Sequence, residues 1–282
     1  MFIKNQLNCF LSCIIITFCC LFLSSDTIFA QECEEVRVPQ AMFQEGYIQV
    51  VGLSANGQSR YDAFTAAKVV AQKELLEVLE GVTITGNTTI QKGNNQSQVI
   101  RASTSGFLRG AIKVGQKYYP DEGYGEVCLR LYIRGRGSAY EILLPKFKDE
   151  GIIKTSVQKY KPQLFKPGKD GLIIDLRGKN FRPALINQIV TNRGKLIYDP
   201  SNIAPSVLAE RGCGGYSNDI RKAVVILKEW GVKEPIIIKA EGVKNKTNAL
   251  ISSQDAETVL VENNKNNFLA QAKVVFVLQS GF

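Results

Sequence analysis

The sequence contains no histidine, and that one absence removes several chemistries at once. Ser-His-Asp and Cys-His nucleophilic sites, HExxH metalloprotease sites and histidine general bases all need an imidazole. Cysteine is sparse where a folded domain would use it. Of seven cysteines, those at 9, 13, 19 and 20 fall in the first 30 residues, leaving Cys33, Cys128 and Cys213. No pair among these three has the close spacing of a zinc or thiol-redox motif. Long apolar runs are lacking too, apart from "CFLSCIIITFCCLFLSS" near the N-terminus. Its apolar core of about 14 residues is shorter than the roughly 20 that span a bilayer.

That run does have a context. It follows "MFIKNQ", with Lys4 as its cation, and precedes a polar break and "TIFAQE", where Ala30 stands before Gln31. This is the layout of a secretory signal peptide. Residues 1–30 are therefore expected to be removed and the protein exported to the periplasm; the alternative is an uncleaved membrane anchor. Glu32 stands where a lipidation site at Cys33 would need a small residue, so lipidation is not expected. In an oxidising compartment three cysteines suggest one disulfide and one leftover thiol. Spacing does not fix the pair; Cys33 with Cys128 is the preferred one, tying an N-terminal tail (31–45) to a strand.

With 45% hydrophobic residues the chain can bury a sizeable core. The net charge of +9 is unevenly spread: residues 134–182 hold 12 Lys and Arg against 5 Asp and Glu, with Pro145, Pro162 and Pro167 among them. Residues 135–169 accordingly read as a basic, proline-containing linker between two domains, 46–134 and 170–282. Such a segment could face an anionic envelope surface. Nucleic acid is a poor partner for an exported chain without regularly interleaved aromatics.

In the first domain "YIQVVGLS" reads as a strand. Ser59 is a helix N-cap with Asp62 in capping-box position. Phe64, Ala67, Ala71, Leu75 and Val78 form an apolar stripe, and Gly81 is placed to stop the helix. "VTITGNTTIQ" (82–91) reads as a strand, "QVIRASTSGFLRG" as a short helix, and "AIKVGQKYYP" and "YGEVCLRLYIR" as strands joined at "DEG". In the second domain "DGLIIDLRG" is a strand, and "ALINQIVTNRGKLIYDP" a hairpin turning at "TNRG". Two helices follow, the second starting near Ser217. The remaining strands are "EPIIIKAEGV", "NALISS" and "AKVVFVLQ", with "QDAETVLVEN" a helix. The fold class expected is α+β, two small domains, each a mainly antiparallel or mixed sheet with helices packed on it.

The combination of "GYIQVVGLS", "YDAFTAAKVVAQKELLEVLEG", "VTITGNTTI", "STSGFLRGAIKVGQKYY" and "YGEVCLRLYI" resembles the Lpp-twenty-like outer-membrane lipoprotein family and the N-terminal domain of FlgT-type flagellar assembly proteins, over about residues 46–134. The resemblance implies a non-catalytic envelope protein of a Gram-negative-type bacterium, working by protein contacts in the periplasm or at the outer membrane. Residues 171–278 resemble a region that accompanies such domains in other envelope proteins, with no activity implied.

Candidate chemistry is thin, and no catalytic residue, cofactor or metal site is assigned. "SVQK" (156–159) has the Ser and Lys spacing of penicillin-interacting enzymes but lacks a KTG strand. "RGCGGYSND" (211–219) could present backbone amides to an anion, or be a glycine-rich turn. Arg177, Lys179, Arg182 and Arg211 are the candidate contacts for an anionic solute or cell-wall polymer in a groove between the domains. The expected function is thus contact with other envelope proteins or with a second copy in an assembly. The alternative is a periplasmic binding module for an anionic ligand.

Overall fold

The computed structural model describes residues 33–86, 103–153 and 167–279. The N-terminal part runs α1 (Pro39–Glu45), β1 (Tyr47–Leu53), α2 (Arg60–Glu80), α3 (Thr104–Gly110), β2 (Ile112–Tyr119), β3 (Tyr124–Tyr132) and α4 (Ala139–Asp149). The three strands form an antiparallel sheet in the order β1-β3-β2. Ser59 caps α2, its Oγ accepting from Asp62 N at 3.3 Å. The face α2 buries is Ala63, Ala67, Ala71, Leu75 and Leu79, so the expected stripe is turned slightly, with Phe64 and Val78 only half-buried. The cause is close approach. A Cβ built on Gly52 of β1 would lie 2.1 Å from Ala67 O and 2.2 Å from Ala71 N, so only small residues fit along the contact line. Gly81 ends α2, with φ of −85° in the right-handed region.

The C-terminal part adds β4 (Gly171–Asp175), β5 (Gln188–Thr191), β6 (Leu196–Tyr198), a 3₁₀ turn (Pro200–Asn202), α5 (Pro205–Arg211), β7 (Gly215–Ser217), α6 (Ile220–Glu229), β8 (Pro235–Lys239), β9 (Gly242–Lys244), β10 (Asn248–Ile251), α7 (Ser253–Asn266) and β11 (Val274–Val277). It contains two four-stranded sheets. One, β6-β5-β10-β9, is mixed; the other, β7-β11-β4-β8, is parallel throughout. The α+β class holds; the expectation of a mainly antiparallel or mixed sheet in each domain is corrected only in that the C-terminal part adds this parallel sheet beside its mixed one. The segments "GLIID" and "VVFV" are apolar on both faces, as a sheet covered on both sides requires. Strand alternation sends Ile173, Val275 and Val277 to α6, against Ala223 and Leu227. It sends Leu172, Ile174, Val274 and Phe276 to the main core.

Three further expectations change. The segment 82–91 forms no strand in its described residues, 82–86. Instead the carbonyls of Thr83 and Ile84 accept from Leu185 N and Ile186 N at 3.0 and 2.8 Å. The tail 31–45 contains α1, with Pro39 in its first turn and Gly46 at φ +80° closing it. The stretch 135–169, read as a basic, proline-containing linker, contains α4, which buries Ala139, Tyr140, Leu143, Leu144 and Phe147. One buried cluster accordingly runs from Val36 and Met42 through Tyr140 and Phe147 to Phe276. "SVQK" lies outside the described residues. Among those described, no helix is long and apolar enough to cross a membrane.

Candidate functional site

The carboxyl edge of the parallel sheet is where α/β sheets most often receive ligands. Here Asp175 ends β4 and takes Arg177 in a fork, Nε at 2.8 Å and Nη2 at 2.7 Å. The hydrogen bonds from Arg177 hold the Asp175 carboxyl below its usual range. Lys179 and Arg182 follow in the same loop, both exposed. Arg211 lies at the opposite edge. Its Nη1 donates to Gln271 O at 3.3 Å, ahead of β11, and its guanidinium sits 5.5 Å from the Trp230 ring, ahead of β8. Because β4, β8 and β11 are parallel, the length of the sheet separates Arg211 from the other three. The four cations therefore do not line one groove, and Arg177 is already engaged by its own carboxylate.

An open groove of about 710 Å³ lies beside β7 and α6. Gln44, Glu45, Tyr216, Ser217, Asn218 and Asp219 line one part of it, with Arg221 and Lys222 on α6. Asp219 caps α6: its carboxylate accepts from Arg221 N at 2.8 Å and Lys222 N at 3.2 Å. The first amides of α6 are thus occupied by the chain itself. The glycines of "RGCGGYSND" serve packing instead: Gly214 has φ of +111°, and a Cβ there would meet Val274 O at 2.5 Å. The anion-cradle reading of this stretch is corrected accordingly.

Behind the groove lies a buried polar centre that sequence reasoning did not assemble. The Tyr140 hydroxyl is 3.2 Å from Cys213 Sγ. The Tyr216 hydroxyl sits 2.9 Å from Ala184 O, accepts from Ala184 N at 3.2 Å, and contacts Asn187 Oδ1. Arg134, whose pKa burial lowers, donates from Nη1 to Gly214 O at 3.0 Å and ties the loop after β3 to β7. Burial raises the pKa values of Tyr140, Tyr198 and Tyr216 and pushes the Cys213 thiol up to about 12. These groups are neutral at neutral pH, and a thiol that is not ionised is a poor nucleophile. Cys213 is therefore expected to resist alkylation at pH 8 in the native protein and to react fully once unfolded, as mass-spectrometric mapping of Cys213 would show. Native labelling at the rate of an exposed thiol would contradict this burial. No group of His, Cys, Asp and Glu side chains suited to a metal ion occurs among the described residues.

The second surface of note is the face of the N-terminal sheet turned away from α2. Cys33 is joined to Cys128 at its centre, with Cα atoms 6.1 Å apart. Residues 33–36 run beside β1, where Val36 and Gln49 exchange backbone hydrogen bonds at 2.9 and 3.1 Å. This leaves Gln49 and Cys128 buried in the middle of the face. Around them Leu53, Ile112 and Tyr132 remain 52%, 46% and 40% exposed. The Arg130 guanidinium packs 4.1 Å from the Tyr47 ring, and Tyr47 meets Tyr132 edge-on at 6.3 Å. This face is built from strands β1, β2 and β3, all of which the sequence pattern had indicated; its exposure was the part that pattern could not give.

Residues 171–280 match the family described as Treponema pallidum Tp0624, second domain. No curated protein matches the chain. The matched stretch takes in both four-stranded sheets, the groove residues from Tyr216 to Ile226, and all four candidate cations.

Proposed function

We propose that this protein is an exported, non-catalytic component of the cell envelope that works through contacts with other proteins. The observation that carries the reading is the rim of Leu53, Ile112 and Tyr132 around the tail-covered centre of the N-terminal sheet. Ile112 and Tyr132, left bare beside the paired Tyr47 and Arg130, have the composition of an interface core rather than of ordinary surface, with Leu53 at the far end of β1. The disulfide between Cys33 and Cys128 supports export, since such bonds persist in oxidising compartments. The N-terminal apolar run supports the same compartment. The resemblance of residues 46–134 to Lpp-twenty-like and FlgT-type domains supports the envelope part of this reading.

The test is a double variant, Ile112→Lys with Tyr132→Ser. Both side chains are exposed, so the melting temperature should stay close to that of the parent. Recovery of envelope proteins bound to the tagged chain should fall by about tenfold or more, because two anchors of an interface core are lost. Undiminished recovery by a folded variant would reject this face as the contact surface.

A further inference from the structure

We infer that the loop after β4 and the turn between β9 and β10 together form a docking surface for an anionic bilayer. This goes beyond the reading above and uses a different part of the molecule. Arg182 N donates to Lys246 O at 2.7 Å, so the two segments are joined backbone to backbone. Lys179 and Lys244 lie so few residues from that bond that the chain holds them within about 11 Å of it. Lys179, Arg182, Lys244 and Lys246 are all exposed, and none of them forms an ion pair among the described residues. Elsewhere exposed cations take a carboxylate, as Lys73 does with Glu77, Lys169 with Glu234 and Arg177 with Asp175. Like charges held at separations near the screening length of about 8 Å repel one another, and an anionic surface laid across them relieves that repulsion.

The local backbone holds these side chains out on a firm base. Phe181 stacks on Phe276 with ring centroids 5.7 Å apart and Pro183 is buried, which pins the first loop while Lys179 and Arg182 stay in solvent. In the second, Asn245 and Lys246 take φ of 53° and 64° in a tight turn. The buried Asn187 anchors that turn, its Nδ2 donating to Thr247 O at 2.8 Å. The cations are therefore carried on projecting turns, and that shape selects the occupant. A cleft of about 180 Å³ beside the second turn is lined by Gln188, Asn245 and Asn248 but by none of the four cations, so it does not hold a small anion against them. A bilayer surface needs no cleft. It presents many anionic head groups at once and attracts exposed Lys and Arg over about a screening length.

The test is flotation of protein expressed from the full chain with vesicles of phosphatidylcholine and phosphatidylglycerol in equal parts, set against vesicles of phosphatidylcholine alone. The protein should float with the mixed vesicles at about 0.1 M salt, stay behind with the neutral ones, and be released at about 1 M, where the screening length falls to about 3 Å. Each cation near an anionic surface is worth about fivefold in partitioning. The combined variant Lys179→Gln, Arg182→Gln, Lys244→Gln and Lys246→Gln should therefore bind about 100-fold more weakly or worse, and with all four side chains exposed it should melt close to the parent. A second variant, Lys68→Gln, Arg136→Gln, Lys222→Gln and Lys228→Gln, removes the same charge from exposed positions elsewhere and should bind as the parent does. Equal losses in the two variants would overturn the assignment to these loops. So would a parent that binds neither kind of vesicle, or both alike. A parent that ignores the vesicles but is retained on immobilised polyphosphate through the same four residues would make the partner a soluble polyanion, and the bilayer assignment would fall with it.

Discussion

Ala71→Asp should leave the protein without its native fold, or lower its melting temperature by about 8–16 °C if it folds at all. Ala71 is fully buried where α2 crosses β1, and the Gly52 backbone lies so near that even a methyl group there would come within 2.2 Å of Ala71 N. An aspartate needs space for three more heavy atoms and water for its charge, and the site offers neither. Burying an unpaired carboxylate and overpacking a backbone contact both fall among the few mechanisms that cost about 4 kcal/mol or more. Domains of this kind hold only about 5–15 kcal/mol in all. The effect should also spread. The buried cluster containing Ala71 continues through Tyr140 and Phe147 into the core beneath the parallel sheet. Circular dichroism melts of Ala71→Asp, set beside Val69→Asp on the exposed side of the same helix, measure this directly. If Ala71→Asp melted as Val69→Asp does, α2 would not lie on the sheet by this face.

The local signals in the sequence were sufficient for the elements that local physics decides. Ser59 and Asp62 announce the start of α2 because capping is settled within four residues. The strands around "DEG" are legible because a short turn leaves antiparallel pairing as the natural outcome. What failed was decided by distant parts of the chain. The stripe on α2 turned from Phe64 and Val78 toward Ala63 and Leu79 because Gly52 and Gly125, on two strands, admit the helix so closely. Helix α4 hid behind Pro145, Lys146 and Lys148, which read as linker chemistry. The spacing of Tyr140, Leu143, Leu144 and Phe147 was the signal that could have found it. The grouping of Arg211 with Arg177, Lys179 and Arg182 failed for a related reason. Residues close to the ends of successive elements can stand at opposite edges of a sheet, and strand order is set by packing rather than by proximity in sequence. The parallel sheet itself was visible in principle, since "GLIID" and "VVFV" lack the polar alternation of a half-exposed strand. In the polar centre of Tyr140, Cys213 and Tyr216, Tyr140 and Cys213 are 73 positions apart, and no short-range pattern encodes their meeting.

Breaking the Cys33–Cys128 link should lower the melting temperature by about 4–16 °C, following from the 2–4 kcal/mol typical of a native disulfide in a domain of this size. The bond spans 95 positions, and a loop of that length is near the upper end of what chain entropy alone would give, about 4.7 kcal/mol. The paired replacement Cys33→Ser with Cys128→Ser is the right variant, since it leaves no stray thiol to pair with Cys213. The loss should have a location as well as a size. Residues 33–36 are held to β1 by Val36 and Gln49, and by the side-chain bond from Gln49 Nε2 to Glu34 O at 2.7 Å. Freed at Cys33, this short edge segment should fray, and the Gln49 amide, whose bond to Val36 O sits on the outer side of β1, should exchange faster with deuterium. Amides on β3 that face β1 and β2 from both sides should keep their protection. Faster exchange at Gln49 with β3 unchanged would identify the disulfide as the clamp that keeps the tail over the centre of the open face. That clamp matters to the proposed contact surface, because the rim of Leu53, Ile112 and Tyr132 has its present form only while the tail fills the middle. An unchanged melt together with unchanged exchange would mean that the tail is held by packing alone, and the disulfide would then have no part in shaping the surface.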